Sequence, residues 1–115
     1  MKALTIINIL VLISTLSIGS AAYSDVVTDW DAAALNAIRA NRIPPPIASR
    51  ALAILHASIY DAVNGISRAN EAYLVQSAVP ASASKEAAAS AAAHKVLVAL
   101  FPMNAPSLMI STPRR

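Results

Sequence analysis

The stretch "RALAILHASIYDAVNGI", residues 50–66, is the feature that most constrains the fold of this chain. Its apolar residues recur at helical spacing, yet Arg50 and Asp61 are its only charged residues. The prolines of "IPPP", residues 43–46, cannot continue a preceding helix, so a new helix begins at about Pro46. A continuous apolar stripe runs along one side of it, made of Ala48, Ala51, Leu52, Leu55, Ile59, Ala62 and Val63.

The other side of this helix is neither apolar nor well charged. Its residues form two adjacent rows, with Ser49, Ala53, His56, Tyr60 and Asn64 in one and Arg50, Ile54, Ala57 and Asp61 in the other. Small and hydrogen-bonding side chains in this pattern are typical of a face that packs against protein. We therefore predict a helix over 46–64 that ends at Gly65 as its C′ residue and has a packing partner on both sides.

A helix also precedes the proline run. The segment "DWDAAALNAIRANR", residues 29–42, places Trp30 and several alanines on one face at helical spacing. Thr28 is a suitable N-cap, and two aspartates lie near the positive end of the helix dipole. The sequence predicts that this helix covers residues 29–42.

A third helix follows an irregular segment, residues 67–83. The segment "KEAAASAAAHKVLVALF", residues 85–101, has high helix propensity, Ser84 can cap it, and Pro102 ends it. The remaining "MNAPSLMISTPRR", residues 103–115, has no helical period, and we expect an aperiodic tail. The predicted fold class is all-α, with three helices over 29–42, 46–64 and 85–101.

Residues 1–24 have the pattern of a secretory signal peptide. Lys2 precedes an uncharged apolar run that closes with small residues, and cleavage after Ala22 or after Ser24 fits. A retained transmembrane anchor is the alternative, but a span needs roughly 20 mainly apolar residues, and polar residues interrupt this run. We expect an exported protein, periplasmic or extracellular, that meets the membrane only transiently through this segment.

The charge of the chain gives no indication of nucleic-acid binding. Loss of Lys2 with the signal peptide leaves eight Lys and Arg against six Asp and Glu, a net charge of +2. Arg114 and Arg115 account for all of that excess. Because no basic stripe with interleaved aromatic residues is present, we expect no nucleic-acid partner.

The length and composition favour the interpretation that these helices are part of a larger protein. Without residues 1–24, about 91 of the 115 residues remain, which is a marginal size for a domain, and no cysteine can form a disulfide. Each alanine buries little apolar area, so an alanine-rich set of helices gains little at about 25 cal/mol per Å2. We therefore expect these helices to belong to a larger bundle.

We assign no catalytic, cofactor-binding or metal-binding residue from the sequence. His56 and His94 are the only histidines, and neither has a carboxylate or cysteine at ligand spacing. No G-x-S-x-G motif and no phosphate-binding glycine loop occurs. Arg50 and Asp61 lie about three turns apart, so they cannot pair with each other, and each is expected to form a structural ion pair with a group on another element. A substrate-binding role for Arg50 stays open as the alternative.

Several segments in this order resemble one known family. They are "DVVTDWDAAALNAIRANRIPPPIASRALAILHASIYDAVNGI", "AYLV" and "ASKEAAASAAAHKVLVALFP", which together span residues 25–102. The region resembles the N-terminal part of secreted bacterial proteins related to vanadium-dependent haloperoxidases, in the phosphatidic-acid phosphatase type 2 superfamily. The resemblance implies an all-helical bundle in which the helix of residues 46–64 is an inner one. It also implies that the second face of this helix contacts helices that are missing from this chain.

The family's catalytic motifs are absent from this chain. In the family, a Lys, two Arg, a Ser-Gly-His loop and a second His hold vanadate or the substrate phosphate, in patterns such as K-x6-R-P, P-S-G-H and S-R-x5-H. Lys95 is not followed by the Arg-Pro pair, and Pro106-Ser107 is not followed by Gly-His. The resemblance therefore implies that His56, Tyr60, Asp61 and Asn64 are scaffold residues.

Two functions are open at this point. One is a truncated N-terminal fragment of a haloperoxidase or phosphatase-like protein, without catalytic activity or cofactor of its own, with an enzyme role left uncertain. The other is a small secreted helical module that binds a helical partner through the face of His56, Tyr60 and Asn64.

Overall fold

The structure, a computed structural model, describes residues 25–110 and, for Ile110, the backbone only. The predicted all-α class is confirmed: this part of the chain contains helices and no strand. The predicted signal peptide of residues 1–24 and the last residues, 111–115, lie outside the described residues. The elements are α1 Val26–Ala40, α2 Pro45–Ser67, α3 Lys85–Leu100, a 3-10 turn at Pro102–Asn104, and α4 Ala105–Ile110.

The core forms where α3 packs against the other helices. Helix α3 makes its most extensive contact with α2, and it also contacts α1, the 3-10 turn and α4. The largest fully buried side chains come one from each long helix: Trp30, Leu55 and Leu97. Buried alanines on α3, Ala89 and Ala93, let the neighbouring helices approach closely around them. The apolar stripe predicted for α2 is confirmed as its core-facing side, except for Ala62, which lines a groove on the other side of the helix.

Helix α1 begins and ends earlier than its predicted bounds. Asp25, not Thr28, is the N-cap, and its carboxylate accepts a hydrogen bond from the Val27 amide at 3.4 Å. The extra first turn forms because Val26 and Val27 pack against the core. The helix ends at Ala40, since the backbone of Arg42 turns left-handed with a φ of 51°.

Helix α2 continues past Gly65, so the prediction that this glycine ends the helix is wrong. The helix runs to Ser67, and Arg68 takes the left-handed cap conformation with a φ of 51°. Gly65 instead permits a close approach of the chain, because a Cβ atom there would lie 3.3 Å from the Ser77 Cβ. The glycine is needed for packing rather than for helix termination.

The third predicted helix is confirmed at both ends to within one residue. The Ser84 hydroxyl accepts from the Ala87 amide at 3.1 Å and donates to the Glu86 carboxylate at 2.9 Å, and the helix stops before Phe101. The predicted helix count of three is wrong, however, because part of the expected aperiodic tail forms α4. This short helix is held by tertiary packing, since Leu108 is buried in the common core.

None of the helices within residues 25–110 has the length and apolar character that crossing a membrane requires.

The core packing predicts a large cost for truncating Leu55, whose side chain is fully buried. We expect Leu55→Ala to lower the free energy of unfolding by about 2–5 kcal/mol, because it removes buried methyl groups and leaves a cavity. The measurement is urea unfolding followed by circular dichroism. Leu74→Ala makes the same chemical change at a side chain that is 83% exposed. It should shift stability by no more than about 0.5 kcal/mol. Equal effects of the two changes would contradict this packing.

Candidate functional site

The polar side of α2 holds the chain that follows it. We call residues 68–84 the connecting segment; within the described residues it joins α2 to α3 without regular structure. Side chains from the last turns of α2 bond to backbone atoms of this segment at several points. The predicted hydrogen-bonded packing is therefore found at the C-terminal end of this face, at Tyr60, Asp61 and Asn64, and there the partner is in this chain. The expectation that the partner is missing is wrong for these three residues, whereas Arg50, Ile54 and Ala57 stay uncovered within residues 25–110.

Asp61 makes the densest of these contacts. One carboxylate oxygen, Oδ1, accepts from the Tyr73 amide at 2.7 Å. The other, Oδ2, accepts from the amides of Leu74 at 2.9 Å and Val75 at 2.7 Å. The carboxylate lies buried in the fold and faces three consecutive N–H groups, which are charge-assisted donors to it.

These hydrogen bonds favour the charged form of Asp61. The pKa of its carboxyl is lowered first by the Val75 amide and further by the amides of Tyr73 and Leu74. Burial raises the pKa and opposes this, but the hydrogen bonds outweigh it. The expected partner of Asp61 on another element is thus a set of backbone amides rather than a basic side chain.

Three further side chains of α2 and its cap attach the connecting segment. Asn64 donates to the Asn70 carbonyl at 2.8 Å and accepts from the Asn70 amide at 3.1 Å. The Tyr60 hydroxyl donates to the Glu71 carbonyl at 2.9 Å, and the Arg68 guanidinium donates to the Val79 carbonyl at 3.2 Å. The segment is therefore held along most of its length.

A groove lies between α2, α3 and the connecting segment. We call it the α2–α3 groove; its volume is about 1120 Å3. The α2 wall contains the second row predicted from the sequence, together with its neighbours. The lining residues are mostly apolar: Arg50, Ala53, Ile54, Ala57, Ser58, Asp61 and Ala62 from α2, Tyr73, Leu74, Val75 and Ser77 from the segment, and Ala92, Lys95, Val96 and Ala99 from α3.

Two cations line this groove. Within residues 25–110, the side chains of Arg50 and Lys95 make no hydrogen bond or ion pair, and both residues are exposed. The predicted partner of Arg50 on another element is therefore not found in this part of the chain. The carboxylate of Asp61 also lines the groove, but its oxygens accept from backbone amides. Two cations and one carboxylate leave the lining with a net positive charge.

The predicted face of His56, Tyr60 and Asn64 is only partly accessible. Asn64 is buried, whereas Tyr60 is 41% exposed and the His56 side chain 49% exposed. Nε2 of His56 lies 3.2 Å from an Asp31 carboxylate oxygen on α1. Thus the structure brings His56 and Tyr60 to the surface and takes Asn64 into the interior.

The second histidine lies against a buried tryptophan. The His94 ring is half-buried and meets Trp30 edge to face, with the ring centroids 6.0 Å apart. The indole N–H of Trp30 has no hydrogen-bond partner within the described residues. Across residues 25–110, no three His, Cys, Asp or Glu side chains are grouped so that they could hold a metal ion.

The geometry places an open, mostly apolar groove beside a set of polar side chains that bond within the chain. The polar residues brought together by α2 hold backbone groups of the chain itself, and the groove beside them presents apolar side chains and two cations. Comparison with known proteins adds no family: no protein-family model, curated protein or solved structure matches this chain.

The Asp61 contact predicts which amides exchange slowly. In Asp61→Asn, the neutral side chain can no longer accept three charge-assisted hydrogen bonds, so the amides of residues 73–75 should exchange with solvent about tenfold faster or more. Amide hydrogen exchange followed by NMR measures this. Asp31→Asn is the matched control and should leave these three amides unchanged. Unaltered protection in Asp61→Asn would contradict the assigned role.

The lowered pKa of Asp61 predicts a loss of stability in acid. Because the folded chain binds this proton less strongly than the unfolded chain, the contribution is fully present above the unfolded pKa of about 3.9. It is lost as the pH falls through the lower folded pKa. A titration of the Asp61 carboxyl carbon by NMR should give a midpoint below the usual value. A midpoint at or above it would show that the three amides do not stabilise the charged form.

Proposed function

We propose that residues 25–102 are the N-terminal helical scaffold of a larger protein related to vanadium-dependent haloperoxidases and phosphatidic-acid phosphatases, without catalytic activity of their own. The proposal rests on the contacts made by the polar side chains of the segment that resembles the family, residues 50–66. The polar side chains of His56, Tyr60, Asp61 and Asn64 all contact other parts of the same chain. Side chains used in this way support a scaffold role.

The α2–α3 groove supports the idea of a larger bundle. Its apolar lining is left uncovered by residues 25–110. Large exposed apolar surfaces on small proteins mark sites where another element or protein packs. A scaffold that is completed by further helices accounts for this surface.

The chain's own residues do not fit the anion that the resembled family binds. That site needs a Lys, two Arg, a Ser-Gly-His loop and a second His. In the groove, the free cations are Arg50 and Lys95, and neither histidine lines it. We therefore derive no reaction through vanadate or phosphate for this chain.

A second candidate function is a small secreted module that binds a helical partner. The closed core around Trp30, Leu55 and Leu97 favours it, because such a core can stabilise an independent unit. Calorimetry separates the two functions. A monomer that melts in one cooperative transition favours the module, whereas loss of cooperativity with dye-binding, molten behaviour favours the incomplete scaffold.

The scaffold proposal predicts related sequence beyond the coding region. We expect the DNA that follows it, translated in all three forward frames, to encode helices with K-x6-R-P, P-S-G-H and S-R-x5-H patterns. Resequencing the gene and its downstream region tests this. If no related segment follows in any frame, the family proposal is lost and the independent module gains support.

Export is part of the proposal and has its own test. If the signal peptide is cleaved at one of the two fitting sites, the secreted chain begins at Tyr23 or Asp25. Intact mass measurement of the protein recovered outside the cytoplasm determines this start. A product that keeps Lys2 and stays in the membrane fraction would support the retained anchor instead.

A further inference from the structure

We propose that the α2–α3 groove binds an amphipathic α-helix that carries an apolar stripe edged with carboxylates. The inference rests on the proposed function, because it states the chemistry of the helix that such a scaffold would receive. It moves the partner site from the His56 and Tyr60 face to the adjacent row of α2.

The size of the groove fits a helix. Its α2 wall runs from Arg50 to Ala62, which at 1.5 Å per residue is about 18 Å. That length corresponds to about three turns of a helix lying along the groove.

The walls of the groove allow a helix to approach closely. Alanines occupy both helical sides, and longer apolar side chains lie between them. Small side chains shorten the distance at which two helices pack. Helix-in-groove recognition uses such a surface, with apolar anchors on one face of the bound helix. The alanines concerned are Ala53, Ala57, Ala62, Ala92 and Ala99.

Charge selects the kind of helix. Arg50 and Lys95 present free cations, while the negative charge of Asp61 is held by three backbone amides. A carboxylate on the incoming helix would pair with these cations, and a lysine at the same place would be repelled. The groove should therefore prefer an acidic amphipathic helix over a basic one.

A second copy of this chain is a poorer occupant. The apolar sides of α1, α2 and α3 already face the core of their own chain. No long helix among residues 25–110 thus has an unused apolar stripe edged with carboxylates to offer. The partner we infer is a different polypeptide segment.

The experiment measures binding of two synthetic helical peptides to the full chain by fluorescence anisotropy. Both have about four turns and the same Ala and Leu stripe; one carries Glu at the edges of the stripe and the other Lys. We expect the Glu peptide to bind about tenfold more tightly or better. The double variant Arg50→Glu with Lys95→Glu should reverse that preference.

Matched control variants test whether the peptide binds in the groove. Arg39→Glu with Lys85→Glu reverses two charges on residues that do not line the groove and should leave the preference unchanged. Ala57→Trp should abolish binding by filling the groove, whereas Ala91→Trp, on the exposed side of α3, should not. Circular dichroism checks that each variant keeps its helix content.

The inference is overturned if neither peptide binds, if both bind equally, or if charge reversal at Arg50 and Lys95 leaves the preference unchanged. It is also overturned if laurate displaces the Glu peptide. A dimer of the chain in sedimentation that prevents the Glu peptide from binding would overturn it as well. The family proposal is tested separately, because its outcome depends on the downstream DNA and not on peptide binding. If catalytic motifs are found downstream but the groove binds no acidic helix, the family proposal stands and this inference fails.

Discussion

The carboxylate of Asp61 and the three consecutive amides it accepts from are the contact on which the α2–α3 groove depends. They fix Tyr73, Leu74 and Val75 beside α2, with distances of 2.7–2.9 Å. A chain without this anchor would have an irregular segment with few apolar contacts of its own. With it, the segment becomes the third wall of the α2–α3 groove, next to the two helices.

The two sides of α2 thus contact different parts of the chain. The apolar stripe completes the core with α1 and α3, and the polar residues near its C-terminal end hold the connecting segment. Between these surfaces, small apolar residues and Arg50 remain uncovered by residues 25–110. The low charge of this helix is explained by two features: Tyr60, Asp61 and Asn64 have partners within the chain, and the apolar surface beside Arg50 is open.

Periodicity was sufficient to predict the three long helices and most of the core side of α2, whereas of the predicted caps at Thr28, Gly65 and Ser84 only Ser84 was correct. Other features depend on contacts distant in the sequence. Gly65 resembles a helix-ending residue until Ser77 is seen beside it. The fourth helix has weak local propensity and depends on the burial of Leu108. The partners of Asp61 are backbone amides, which any residue carries, so no sequence pattern marks them. The groove was likewise not predictable, because three separate elements form it.

The measurement that tests the central claim most directly is the set of intermolecular NOEs between the acidic helical peptide and the labelled chain. The account predicts contacts from the peptide's Ala and Leu methyl groups to Ala57, Ala92 and Val96, which line the groove from both helices. Contacts to the rings of His56 and Tyr60 instead, with none in the groove, would contradict it and return the partner site to the face first predicted from the sequence.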